Sequence, residues 1–243
     1  MEVEKNDQGE FTERGWIDFG LENYYTLLNC GFELKPSAGT ASGVHPVPLG
    51  FGRVYVHLED GFDFRHWMDG LGAGRSFVTT GPIMNMRFNG KHAGTKFSVE
   101  SRTPFPLRIA GRVSSIHPIE TIEIIQNAEV VESFKPKKKP GGSGLHEIDL
   151  NHTITLKDTA WVAVRCFTRT DTGRPRFAHT APIHFASGNK PIRPRKAEVD
   201  YLIKRVQDEI TRHQDVLSHE ALSEFQTALD SYKNLLNIAV PHE

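Results

Sequence analysis

Arg108-Ile-Ala-Gly-Arg-Val113 and, shortly after it, Thr121-Ile-Glu-Ile-Ile125 decide how this chain folds. Apolar and polar side chains alternate in both, as they do in antiparallel strands with one face in a core and the other in water. Similar runs of β-forming residues recur roughly every ten residues, at 83–88, 96–100, 107–115, 121–126, 130–134, 147–155, 161–168 and 181–185. Asn89-Gly90 supplies the positive-φ pair that a tight hairpin needs. Even turn spacing without helical periodicity predicts an antiparallel β-sandwich of immunoglobulin-like type over residues 81–187. The Cys–Trp–Cys pattern of antibody domains is missing.

Upstream, residues 1–80 alternate between helical and extended patterns. The first ten residues are polar and predict a frayed end. Leu21, Tyr24, Tyr25, Leu27 and Leu28 fall at helical spacing and predict a helix over 18–31, with Gly31 where a helix stops. An extended stretch over 32–40 leads into a Gly/Pro-rich loop at 39–52, followed by a strand at 53–58. Asp63 is placed to cap a short helix through Leu71 whose apolar face holds Phe64, Trp67 and Leu71. After Gly72 and Gly74, residues 76–79 read as a strand. Downstream, a basic, proline-containing linker at 188–197 precedes two amphipathic helices. One carries Val199, Leu202, Ile203, Val206 and Ile210; the other carries Leu222, Phe225, Leu229, Tyr232, Leu235 and Leu236, with Ser218 as its cap. Their apolar stripe must pack on the body of the chain or on a second copy. The expected fold is therefore α+β in three parts: an incomplete α/β segment (1–80), an Ig-like sandwich (81–187) and a linker with a helical hairpin (188–243).

Across 243 residues, 29 basic side chains stand against 30 acidic ones. That balance argues against nucleic acid or an anionic membrane as a partner held by bulk attraction. No apolar run has the length of a membrane span, and the N-terminal stretch lacks the character of a secretion signal, so no compartment is assigned. Cys30 and Cys166 lie 136 residues apart in apolar surroundings and read as small buried hydrophobes.

The motifs that could carry chemistry are few. Twelve histidines are scattered without His-x-His or His-Glu-x-x-His spacing, so no metal set is expected. His45 and His57 flank the loop and strand ahead of the sandwich, while His179 and His184 lie near its last strand. Gly70-Leu-Gly-Ala-Gly-Arg75 lacks the Lys-Ser/Thr ending of a phosphate loop and reads as a helix end turning into a strand. Ser42-Gly43 has no base placed near it, so a loop serine is expected rather than a nucleophile. The basic run starting Lys135-Pro-Lys-Lys-Lys139 reads as a solvated hairpin loop. What remains is a set of anion- or ligand-binding candidates: His45, Arg53 and Arg75.

The order of several segments resembles a known family. Tyr24-Tyr-Thr-Leu-Leu-Asn-Cys-Gly-Phe-Glu-Leu-Lys-Pro-Ser-Ala-Gly-Thr40, Gly52-Arg-Val-Tyr-Val56 and Trp67-x-x-x-Leu-x-Ala-Gly-Arg-x-Phe-Val-Thr-x-Gly-Pro82 resemble the end of a PHP-type metallohydrolase domain, in the branch that looks like carbaryl hydrolase. The resemblance implies a β-sandwich after the metal-binding domain, opened by residues 79–82 and Asn89-Gly90, with Phe177-Ala-His-Thr-Ala-Pro-Ile183 like its closing strand. It spans about residues 15–240 and includes the C-terminal hairpin. The departures weigh against catalysis. The family's His-x-His ligands would lie upstream of this chain, and the position of its late metal-binding Asp holds Ala41, which has no donor atom. About 80 residues are also too few for a β/α barrel. We therefore expect a non-catalytic module for interaction or structural support, with no cofactor, and with a second copy or an upstream domain as partner. The alternatives are part of a metal-dependent phosphoesterase or esterase whose ligands lie elsewhere, and a carbohydrate- or peptide-binding sandwich displaying aromatics such as Trp161 or Phe134.

Overall fold

The computed structural model describes residues 3–41, 43–44, 47–100, 104–136, 144–188 and 190–241. Its elements run α1 (Glu13–Asn29), β1 (Arg53–Val56), α2 (Phe64–Gly72), β2 (Ser76–Thr79), β3 (Ile83–Phe88), β4 (Lys96–Val99), β5 (Phe105–Ser115), β6 (Ile119–Gln126), β7 (Glu129–Phe134), β8 (His146–Leu156), β9 (Ala160–Arg169), β10 (Pro175–Thr180), β11 (Ile183–Ser187), α3 (Lys196–His213) and α4 (His219–Leu235). The protein is thus α+β, with two sheets and a C-terminal helical pair. It divides into two compact units, Met1–Phe19 with Leu34–Lys190 and Gly20–Glu33 with Pro191–Glu243. These units follow contacts, and so run along different lines from the shift in sequence character at residue 81. Among the described residues no helix is long and apolar enough to cross a membrane.

In the first unit, β3, β5 and β8 form a three-stranded antiparallel sheet. The alternation of residues 108–113 does what it predicts: Leu107, Ile109 and Val113 are fully buried, while Arg108 and Arg112 face water. The larger sheet is centred on β9, which pairs with β6, β10 and β11; β7, β2 with β1, and β4 extend it. Both sheets contribute to one core: Phe88, Leu107, Ile109 and Leu156 from the small sheet, and Ile122, Val164, Cys166 and Phe185 from the large one. β9 is mostly apolar, and every residue before Arg169 is buried. Arg165 interrupts the apolar residues, with only 6% of its surface exposed. It survives there because Glu123, opposite it on β6, accepts from its Nε at 2.6 Å.

Thr79-Thr-Gly-Pro82 owes its form to its hydroxyls. Thr79 Oγ1 donates to the Pro82 carbonyl and accepts from the Gly81 amide, at 2.6 and 2.8 Å, while Thr80 Oγ1 accepts from the Phe177 amide at 3.1 Å. Asn89 and Gly90 take φ of 47° and 77°, making the tight turn expected of them. Asn127 and Ala128 do the same between β6 and β7, with φ of 48° and 72°, at a place where the sequence offers no glycine.

Several expectations need correction. Residues 5–11 are held together and not frayed: Lys5 bridges to Phe11, and the Asn6 amide donates to the Glu10 carbonyl at 2.8 Å. α1 begins at Glu13, five residues earlier than the apolar periodicity implies, because Thr12 Oγ1 accepts from the Gly15 amide at 3.0 Å and caps it. Residues 32–40 belong to no strand or helix. β10 escapes the β-run spacing because His179 and Thr180 break its apolar pattern. Both are buried and satisfied: His179 Nδ1–H donates to the Thr180 carbonyl at 2.6 Å, and Thr180 Oγ1 accepts from the Val164 amide at 3.0 Å.

In the second unit, the end of α1 meets the helical hairpin. Gly31 has φ of 87°, and the amides of Gly31 and Phe32 donate to the carbonyls of Leu28 and Leu27, which ends the helix in a Schellman turn. Cys30, Val199 and Leu202 form the core, with Leu27, Tyr201, Tyr232 and Leu235 packed against it. Part of the hairpin's apolar stripe, Val199, Leu202, Ile203, Tyr232 and Leu235, thus packs with the end of α1, while Leu236 at its end is exposed. Glu198 accepts from Asn29 Nδ2 at 2.6 Å and from the Arg195 amide at 2.8 Å, so one carboxylate both ties α3 to α1 and caps α3. Ser218 caps α4 as expected, accepting from the Ala221 amide at 3.2 Å.

Candidate functional site

Two loops meet in the first unit because glycines let their backbones touch. α2 lies close on β1: a Cβ at Gly70 would sit 2.5 Å from Val56 Cγ1. Asp63 starts the helix by accepting from the His66 amide at 3.0 Å. At its end the Arg75 amide donates to the Gly70 carbonyl at 2.9 Å, and the His57 amide donates to the Arg75 carbonyl at 2.8 Å. The second loop follows β3 and the Asn89-Gly90 turn. Within it the His92 carbonyl accepts from Thr95 Oγ1 at 2.8 Å, and Gly94, with φ of 78°, presses on the Ala73 carbonyl and Gly74. A side chain at Gly94 would push the loops apart.

That contact carries His92 to the end of β1. The rings of His57 and His92 lie 3.8 Å apart, inclined at 34°. With the exposed Glu59 they form a cluster whose ligating atoms all fall within 4.8 Å of one another. Burial, and after it Arg87, holds the His57 imidazole below its usual range. The same causes, joined by His57, push His92 down to about 4. Both rings are therefore neutral near pH 7 and present free nitrogen lone pairs.

Two cavities adjoin the cluster. One of about 230 Å³ is lined by Tyr55, His57, Arg75, Asn85, Arg87 and His92, among others. The other, of about 270 Å³, collects Glu59, Asp60, His66 and Asp69 with His57 and Arg75. One side is thus rich in guanidinium and the other in carboxylate. Arg75 and Arg87 have no carboxylate partner among the described residues, and Arg87 reaches only Asn85 Oδ1 and the Met86 carbonyl, at 3.1 and 3.4 Å. The neighbouring Arg108 and Arg112 differ: Asn151 holds the first, and Asp149 takes the second through both its oxygens.

Of the residues chosen from sequence, Arg75 lines both cavities. Arg53 lies at the start of β1, its Nε buried without a hydrogen-bond partner and its guanidinium 6.0 Å from the Tyr55 ring. His45, Ser42 and most of the lysine run lie outside the described residues. The Gly70–Arg75 stretch is a helix end leading into a strand, as its pattern predicts. Trp161 is fully buried and Phe134 packs against the core, so neither offers an exposed ring. Both cysteines are buried, and burial pushes each thiol up to about 12. Sequence reasoning missed Glu59, Arg87 and His92, and saw in His57 only a strand-end residue. No local spacing could have found them, because residues 57 and 92 are joined by a glycine contact between loops. Family models, curated proteins and solved structures were all compared with the chain, and none matches it.

Proposed function

We propose that this chain is a non-catalytic binding module whose ligand is a small oxyanion, a phosphate or carboxylate group, held between Arg75 and Arg87. The two sheets then form an Ig-like sandwich of the kind that closes PHP-type metallohydrolases, kept for recognition. The observation that supports the reading is the pair of guanidiniums, without carboxylate partners among the described residues, on one small cavity. Neighbouring like charges repel, and an anion between them removes that repulsion and gains charge-assisted, fork-shaped hydrogen bonds. At about 230 Å³ the cavity suits a single anionic group rather than a drug-sized molecule. Alanine at position 41 supports the non-catalytic part, since it offers a metal no donor where the resemblance implies an aspartate.

Calorimetric titration of inorganic phosphate and acetate into chelator-treated protein tests the proposal. Arg75→Gln and Arg87→Gln should each weaken binding by about tenfold or more, the worth of one hydrogen bond to a charged group. Unchanged affinity in both variants overturns the site. Turnover of phosphodiester or ester substrates overturns the non-catalytic reading.

A further inference from the structure

We propose that His57, Glu59 and His92 bind one divalent transition-metal ion of the zinc class. The inference goes beyond the anion reading, since it stands on three donor groups and not on the arginines. Two imidazoles and a carboxylate, all with ligating atoms within 4.8 Å of one another, are the donor set that zinc-class ions take. Bonds of about 2.0–2.1 Å in tetrahedral geometry place donors about 3.3 Å apart, so side-chain shifts of about 1–2 Å close the site. Glu59 is exposed and can make that adjustment freely. Two imidazoles among three donors disfavour magnesium and calcium, which take oxygen ligands.

The backbone limits how far the set can drift apart. His57 is pinned through its amide to Arg75, and His92 lies two residues from the Gly94 contact. Asp60 and Asp69 in the adjoining cavity add negative potential beside the cluster, while Arg75 and Arg87 oppose a bare cation from the other side. Three protein ligands leave at least one coordination position open, and that position can take water or an anion. The set shares no residue with the ligands implied by the PHP resemblance, which would lie upstream and at position 41.

The test is titration of zinc by calorimetry and of cobalt by visible absorption into the chelator-treated full chain, without phosphate. One equivalent should bind. Glu59→Gln and His92→Ala should each weaken zinc binding by about tenfold or more, while His117→Ala, remote in sequence and outside the cluster, should leave it unchanged. Absence of binding overturns the proposal, as does unchanged affinity in both variants. Glu59→Gln alters an exposed side chain and keeps the test sound if His92→Ala fails to fold. Loss of phosphate binding on Arg87→Gln with zinc binding intact would separate the two sites.

Discussion

Between pH 7.5 and pH 4 the His179 imidazole alone should cost the first unit about 3 kcal/mol of stability. His179 is 1% exposed on β10. Burial drives its imidazole down to about 4; the Thr180 carbonyl opposes the shift by accepting from Nδ1, and the Arg165 charge adds to it. The ordinary imidazole value is about 6.5. Above that value both folded and unfolded chains are neutral here, and the full stability is present. Below it the unfolded chain takes up a proton that the folded chain refuses until about pH 4, so stability falls across that window and then levels off. The separation, at about 1.4 kcal/mol per pH unit, gives the figure of about 3 kcal/mol. The assay is urea unfolding followed by tryptophan fluorescence at several pH values. Trp16, Trp67 and Trp161 all belong to the first unit, so the signal reports that unit alone. His179→Gln keeps a side-chain donor but cannot take up the proton. Carboxylates common to both proteins cancel in the difference, and the wild type should lose about 3 kcal/mol more than the variant between the two extremes. Parallel pH profiles, or a His179 imidazole titrating near 6.5 by NMR, would refute the reasoning.

Two backbone substitutions should move stability in opposite directions. Gly94→Ala puts a Cβ against the Ala73 carbonyl at a φ of 78°, so calorimetric melting should show a loss of about 2 kcal/mol or more and a transition lower by about 5–10 °C. Ala128→Gly relieves a φ of 72° in the β6–β7 turn and should raise the urea midpoint by the equivalent of about 0.5–1 kcal/mol.

The strands were legible wherever one face is buried and the other wet: β3 has the bounds its run implies, and β5 keeps Leu107, Ile109 and Val113 inside. The helix caps at Asp63 and Ser218 were legible because capping is local. Legibility ended where a long-range partner replaces a local signal. β10 hides His179 in the sheet through one hydrogen bond to its neighbour's carbonyl, and β9 hides Arg165 through a carboxylate on another strand. The candidate site was legible only at Arg75. His57 and His92 acquire a relation through Gly74 and Gly94, whose value lies in the side chain they lack. Such a contact leaves no period in the sequence, and a glycine pressed on another backbone looks like any turn glycine.

The second unit's split composition sets the order in which this protein can be made. Asn29 on α1 donates to Glu198, which is made 169 residues later. At the usual pace of synthesis, about 5–20 residues per second, that delay is roughly 10–30 s. Until then the end of α1 carries Leu27 and Cys30 without the α3 and α4 residues that complete their core. The nascent chain thus passes through a stage with a bare apolar helix face, the kind of surface that chaperones grip. A message cut short before α3 would leave that stage permanent.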